Sequence, residues 1–300
     1  MNAVALLLAI LSAEPLAAGD HEREIVVDGR ERSYLVHVPK NYQHAQPTPI
    51  VLIYHGAAMN GRMMADTCGM SQKADEAGFV AVYPNGLGIG KAMLVFNAGG
   101  IAEQTLKDRP DDVAFARGLL DDLALVVHVD PRRVFATGLS NGGMMSYRLA
   151  AEMANRIAAI APVGGTLGLE ECLPQQPVSV MHFHGTEDRL VPWGGPNARS
   201  AKVMRFRAVE DSVNAWVKLN GCQAEPVVTA LADAKDDGTT VERWDYPGGR
   251  DGAEVVLFKV EGGGHTWPGQ KPLIDLLGKS TYDISANDEM WEFFQRHPKP

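Results

Sequence analysis

Thr137-Gly138-Leu139-Ser140-Asn141-Gly142-Gly143 is the stretch whose residue types and spacing most directly suggest chemistry. An apolar β-type run, Arg133-Val134-Phe135-Ala136, leads into it, and a helical run from Met144 to Met153 leaves it. In a strand–turn–helix setting, Gly-x-Ser-x-Gly forms a strained turn that holds the serine hydroxyl exposed. Gly138 and Gly142 stand where the turn brings backbones too close for a Cβ. The helix after Ser140 points its positive end at the hydroxyl, which suits a developing oxyanion. The alternative is a glycine-rich turn before an ordinary helix, so the reading depends on partners elsewhere in the chain.

A serine hydroxyl is a poor nucleophile at neutral pH and needs an adjacent base, itself oriented by an acid. Two later strand ends supply them. His184-Gly185-Thr186-Glu187-Asp188 follows the run Val178–Phe183, and Gly262-Gly263-Gly264-His265-Thr266-Trp267 follows the run ending at Val260. Asp188 is thus the candidate acid and His265 the candidate base, both in loops at strand ends, where a doubly wound sheet gathers its functional groups. A loop aspartate can also be a turn former, and a histidine after three glycines can simply be solvated. The oxyanion needs two preorganised N–H donors. Asn141 follows the nucleophile and offers the first. Ala57, after the strand-ending pair His55-Gly56, is placed to offer the second, with His55 bonded to a backbone carbonyl. Trp193 and Trp267 each follow one of these loops and are candidates for the walls of a substrate pocket.

Two other motifs are set aside. His182-Phe183-His184 places two imidazoles on one strand face, but no third ligand follows at metallohydrolase spacing. These histidines read as hydrogen-bonding groups beneath the Asp188 loop, and no metal is assigned. Gly86-Leu87-Gly88-Ile89-Gly90-Lys91 resembles a phosphate loop, but it is one residue short and Ala92 replaces the required hydroxyl.

The elements that must position these groups follow from hydrophobic periodicity. Glu24–Val27 and Arg32–Val38 flank Asp28-Gly29 as a β-hairpin. Ile50–Tyr54, Phe79–Tyr83, Ala158–Val163 and Val178–Phe183 are apolar runs of the kind buried on both faces. Helices fit Met64–Ala77, Asp111–His128, Val209–Leu219 and Asn287–Arg296, the last beginning after Ser285, which forms a capping-box pattern with Asp288. Strands fit Val227–Leu231, Thr239–Asp245 and Val255–Val260. Buried strands alternating with helices predict an α/β fold with a mostly parallel, doubly wound sheet. No linker or repeat divides the chain, so residues 20–300 form one domain. The stretch Asn85–Pro110, long and glycine-rich, is expected to be a functional or mobile loop.

At 300 residues, 45% apolar and 22% charged, the chain has ample core for such a domain. A net charge of −9 argues against nucleic acid or an anionic membrane as partner. Residues 1–19 read as an export signal: an apolar segment from Ala3 to Leu11, then the small residues Ala17-Ala18-Gly19. No Lys or Arg precedes the apolar segment, which leaves open a true start upstream of Met1. In an exported chain, Cys172 and Cys222 are the better disulfide pair, because both lie in loops while Cys68 falls in a helical pattern. Closing that loop would be worth roughly 4 kcal/mol. Three reduced thiols are the alternative.

Gly138-Leu139-Ser140-Asn141-Gly142-Gly143-Met144, His184-Gly185-Thr186-x-Asp188 with Val191-Pro192, and Gly263-Gly264-His265-x-Trp267-Pro268 together resemble exported polyhydroxybutyrate-depolymerase-like and feruloyl esterases, the group that includes family 1 carbohydrate esterases. His55-Gly56 and Val82-Tyr83-Pro84-Asn85-Gly86 fit the same family, and the resemblance spans roughly residues 25 to 296. It implies an α/β-hydrolase fold, extracellular action without a cofactor, and a triad of Ser140, Asp188 and His265. It also implies a Cys172–Cys222 bridge. Many relatives carry cysteine after His-Gly, where this chain has Ala57, which keeps the backbone donor and removes a second bridge. The expected substrate is an ester of plant polysaccharide or a polyhydroxyalkanoate, with no obligate protein partner. Acyl transfer or peptide hydrolysis by the same groups, and polysaccharide binding without catalysis, are the alternative functions.

Overall fold

The computed structural model describes residues 14–90, 92–100, 110–196 and 205–300. Most of the expected export signal therefore lies outside the described residues. At its end, the Leu16 N–H donates to the Val126 carbonyl at 3.0 Å and the Leu16 side chain packs on the core.

The chain begins with the antiparallel hairpin β1 (Gly19–Val27) and β2 (Arg30–Val38). Asp28 and Gly29 turn it at φ of 51° and 73°, as an Asp-Gly turn requires. The apolar runs become β3 (Thr48–Tyr54), β4 (Val80–Pro84), β7 (Val129–Leu139), β8 (Ala159–Val163), β9 (Ser179–Gly185) and β12 (Val255–Glu261). These pair in parallel in the order β4-β3-β7-β8-β9-β12. The first hairpin adds antiparallel strands at one edge, and β10 (Val227–Ala230) and β11 (Thr240–Tyr246) add them at the other. Among the described residues this makes a ten-stranded, mostly parallel sheet.

Helices α3 (Asp112–Leu123), α4 (Asn141–Glu152) and α5 (Val209–Asn220) cover one face of the sheet. Helices α1 (Gly61–Cys68), α2 (Met70–Ala77) and α6 (Ala286–Arg296) cover the other. Strands β3 and β4 are buried along their whole length, because helices lie on both sides of them. The fold is thus the single-domain, doubly wound α/β arrangement expected from the sequence.

Two local expectations are corrected. Met64–Ala77 is not one helix: Gly69 takes φ of 70° and breaks it into α1 and α2. Asn85–Pro110 is not simply loop. It contains the hairpin β5 (Leu87–Ile89) and β6 (Met93–Val95), fixed to the chain after β3 by Ala58 N–H to Leu94 O at 2.9 Å and Leu94 N–H to Met59 O at 3.2 Å. Within that stretch, residues 91 and 101–109 lie outside the described residues.

A third correction concerns the cysteines. All three are free thiols, so the expected Cys172–Cys222 bridge is absent. Cys222 caps the end of α5 with its N–H on Val217 O, and its sulfur turns toward the Ala253 carbonyl, 3.8 Å away at the approach to β12. Cys172 is buried on the α4 side of the sheet, where burial pushes its thiol up to about 11.

Candidate active site

Strand β7 delivers the chain to Ser140, which takes φ 58° and ψ −118° before α4 begins at Asn141. A non-glycine residue with such a backbone is strained and held there by its surroundings. Close packing supplies the hold: a methyl on Gly142 would lie 2.1 Å from the Tyr54 carbonyl oxygen, and one on Gly138 would lie 2.5 Å from it. Both glycines therefore let the turn press against the end of β3. The Ser140 N–H donates to Val163 O at 2.8 Å, tying the turn to the end of β8. Ser140 itself is half-buried.

The acid and the imidazole arrive from β9 and β12. Asp188 Oδ2 accepts from His265 Nδ1 at 2.6 Å, and Asp188 Oδ1 accepts from the N–H groups of Leu190 and Val191, each at 2.8 Å. Burial opposes ionisation of Asp188. The bond to His265, the nearby imidazoles and the Val191 N–H outweigh it and hold the carboxyl below the usual range. His265 is fixed through its backbone, with its N–H on Leu277 O at 2.7 Å.

The turn after β8 brings these groups to the serine. A methyl on Gly164 would sit 3.2 Å from His265 Nδ1 and 3.6 Å from Asp188 Oδ2. One on the next residue, Gly165, would sit 2.1 Å from the Ser140 carbonyl. Ser140, Asp188 and His265 thus share one rim of the sheet, at the carboxyl ends of its parallel strands.

The early loop reaches the same rim, for a methyl on Gly56 would lie 3.6 Å from Ser140 Cβ. Ala57 follows it and is exposed. His55 is buried and donates from Nδ1 to Gly56 O at 2.8 Å, while Nε2 accepts the Gly86 N–H at 3.0 Å. Burial holds its imidazole neutral, down to about 4, despite the opposing bond to Gly56. Its structural part in the loop is the one expected. The Asn141 N–H belongs to the open first turn of α4. Its side chain does something the sequence did not disclose: Oδ1 accepts from Phe96 N–H at 2.8 Å and Nδ2 donates to Phe96 O at 3.0 Å. No local pattern signals this clamp, because Phe96 is 45 residues away.

No family model matches the chain. It is 32% identical, over 90% of its length and 81% of the relative's, to the "Putative esterase NocK" of Nocardia uniformis subsp. tsuyamanensis. The chain belongs to the feruloyl esterase-like family. Feruloyl esterase D of Neurospora crassa is 28% identical over 90% of this chain and 83% of its own. Feruloyl esterase B of Piromyces equi is 27% identical over 78% of this chain, which spans 42% of that longer protein. The acetyl xylan esterase from Aspergillus awamori superposes with a TM-score of 0.61 at 14% identity, covering 92% of this chain and 99% of that one. The fold is accordingly that of the α/β-hydrolases, and the protein is a carboxylic-ester hydrolase.

In this feruloyl esterase-like chain an apolar slot opens beside His265, walled by Leu139, Met64, Cys68, Trp267 and Leu273. Trp267 borders it but is itself buried, its Nε1–H donating to Asn287 Oδ1 at 2.8 Å. Trp193 does not line the slot. Its Nε1–H donates to Glu210 at 3.1 Å and its ring meets the edge of His184 at 6.1 Å, behind the acid. Among the described residues no His, Cys, Asp and Glu cluster could hold a metal ion. His182 and His184 instead bond each other, Nε2 to Nδ1, at 3.0 Å. No helix among the described residues is long and apolar enough to cross a membrane.

Proposed function

We propose that this esterase works through a triad of Ser140, His265 and Asp188 and an acyl-enzyme intermediate. His265 Nε2 takes the hydroxyl proton as Ser140 Oγ attacks the ester carbonyl, and Asp188 holds Nδ1–H and steadies the imidazolium that forms. The N–H groups of Asn141 and Ala57 receive the oxyanion. The proton then passes to the leaving alcohol, and water activated by His265 releases the acid. The observation that carries this reading is the 2.6 Å Asp188–His265 bond packed against the turn that also touches Ser140.

The substrate we infer is a hydroxycinnamoyl or acetyl ester of a plant polysaccharide, a reading supported by relatives named as feruloyl esterases and as an acetylxylan esterase. The chain is inferred to act outside the cytoplasm, with residues 1–19 as its export signal and 20–300 as the catalytic domain. Turnover of methyl ferulate, acetylated xylan and amorphous polyhydroxybutyrate, each with Ser140→Ala in parallel, tests the proposal. Release of ferulate or acetate that falls at least ~10⁴-fold in the variant is expected. Equal turnover by both proteins would remove the serine from the mechanism, and activity on the polyester alone would change the substrate.

A further inference from the structure

Behind Asp188 lies a buried chain of polar side chains that the proposed reaction does not use. Tyr147, on α4, places its Oη 2.9 Å from His182 Nδ1. His182 Nε2 lies 3.0 Å from His184 Nδ1. His184 Nε2 lies 2.8 Å from Val191 O and 3.4 Å from Asp188 Oδ2. Tyr147 and His182 are fully buried and His184 is 2% exposed. The rings are stacked, His182 on His184 at 5.2 Å and 6°, and Tyr147 on His182 at 5.8 Å and 29°.

The acceptor at the end of the chain sets the direction of every bond. A carbonyl oxygen can only accept, so His184 Nε2 carries a hydrogen and donates to Val191. Burial holds both imidazoles neutral. For His184 it outweighs the opposing pull of Asp188 and the Val191 bond, and for His182 the neighbouring His184 adds to it. A neutral His184 with hydrogen on Nε2 has a bare Nδ1, so His182 must donate to it from Nε2. His182 Nδ1 is then bare in turn, and Tyr147 donates to it. All three hydrogens point from α4 toward the acid loop. The charged or titratable groups around His184 are Asp188, His265, His182 and, one strand over, Lys259. Asp188 Oδ1 is already held by two backbone N–H groups, so the free swing of the carboxylate is about Oδ2, the atom facing both His265 and His184.

We propose that His184, oriented by His182 and Tyr147, is a positioning residue that fixes the 188–191 turn and aims Asp188 Oδ2 at His265. This rests on the triad reading of the preceding section. A polar chain that merely filled the core would affect stability and leave the acid–imidazole bond alone. A positioning chain sets the geometry of that bond, and a misplacement of about 1 Å there can cost about 100-fold in rate.

The test compares wild type, Asp188→Asn, His184→Phe, His184→Gln and Tyr147→Phe. kcat and KM are measured on p-nitrophenyl acetate, thermal midpoints are recorded, and the downfield proton resonance of His265 Nδ1–H is followed. His184→Phe is expected to lower kcat about 10- to 100-fold with KM within about twofold, and to shift or broaden that resonance. His184→Gln, whose amide can still donate to Val191 O, is expected to recover most of the loss. Tyr147→Phe keeps the ring and is expected to shift the resonance and lower kcat a few-fold. A folded His184→Phe with unchanged kcat and resonance overturns the proposal. If that variant does not fold, the same result in Tyr147→Phe overturns it. Asp188→Asn separates the two levels: if it stays active the triad reading has failed, and if it is inactive while His184→Phe is not, only the positioning proposal has failed.

Discussion

Asp188 is gripped at both oxygens, by Leu190 and Val191 N–H on Oδ1 and by His265 Nδ1–H on Oδ2. An amide in its place presents one donor where only acceptors are wanted. Asp188→Asn is therefore expected to leave the fold intact and to lower kcat by about 10⁴, through the wrong imidazole tautomer, with little change in KM. Steady-state kinetics on p-nitrophenyl acetate checks this, and a loss below tenfold would count against Asp188 as the acid. Because its carboxyl is held below the usual range, its own titration should not shape activity above about pH 4. The three side chains of the candidate site were legible in the sequence because each stands just past a strand end. The Asn141 clamp on Phe96 and the His184 contact with Val191 were not, since both depend on where the fold sends groups that no periodicity describes.

Elements were legible wherever burial writes a pattern, and less so where a single backbone angle decides. The β3 and β4 runs announced strands covered on both faces, and the Asp28-Gly29 pair announced its turn. Gly69 did not announce the break between α1 and α2, because a mid-pattern glycine is equally compatible with a weakened helix. Loop position alone did not decide the cysteines, whose sulfurs are directed by the end of α5 and by the packing around α4. The junction of β7 and α4 yields the sharpest prediction at this scale. Gly142→Ala would drive a methyl to 2.1 Å from Tyr54 O and 2.8 Å from His55 O, so backbone must move. The cost should be about 1–3 kcal/mol in urea unfolding, of the overpacking kind. Activity should fall further than stability explains, since Tyr54 and His55 lead into the Gly56-Ala57 loop. Gly194→Ala, with open space around it, is the control and should change stability by less than about 0.5 kcal/mol. Equal effects at the two glycines would refute close packing as the cause of the strained turn.

For the whole molecule, the histidines it keeps neutral and buried set its response to acid. His55 is held down to about 4, and His182 and His184 are also held below the ordinary imidazole value, in each case mainly by burial. Unfolding releases all three to titrate near pH 6.5. Between about pH 6.5 and 4 the unfolded chain thus binds a proton at His55 that the folded chain refuses, and His182 and His184 act in the same direction, so stability falls as pH falls. His55 contributes up to about 1.4 kcal/mol per pH unit over that window. Asp112 and Glu289, whose carboxyls burial pushes upward, oppose this trend, while Glu254, held at about 2 by His297 and Arg296 despite partial burial, adds its own loss only below about pH 4.5. The histidine contribution comes first on acidification. Urea unfolding from pH 8 to 5 should show a plateau above about 7, then a decline approaching at least one proton, about 1.4 kcal/mol per unit, from His55, steepened by His182 and His184. Over the window from about pH 6.5 to 4 His55 alone removes about 3 kcal/mol, a large part of the margin of a domain at the lower end of the ordinary range of about 5–15 kcal/mol. His55→Gln should reduce the slope by about one proton, and a stability that stays flat from pH 7 to 5 would mean that these imidazoles are protonated inside the fold. Two of the three groups, His182 and His184, stand directly behind Asp188, so acidification acts on the core beneath the site as well as on the fold.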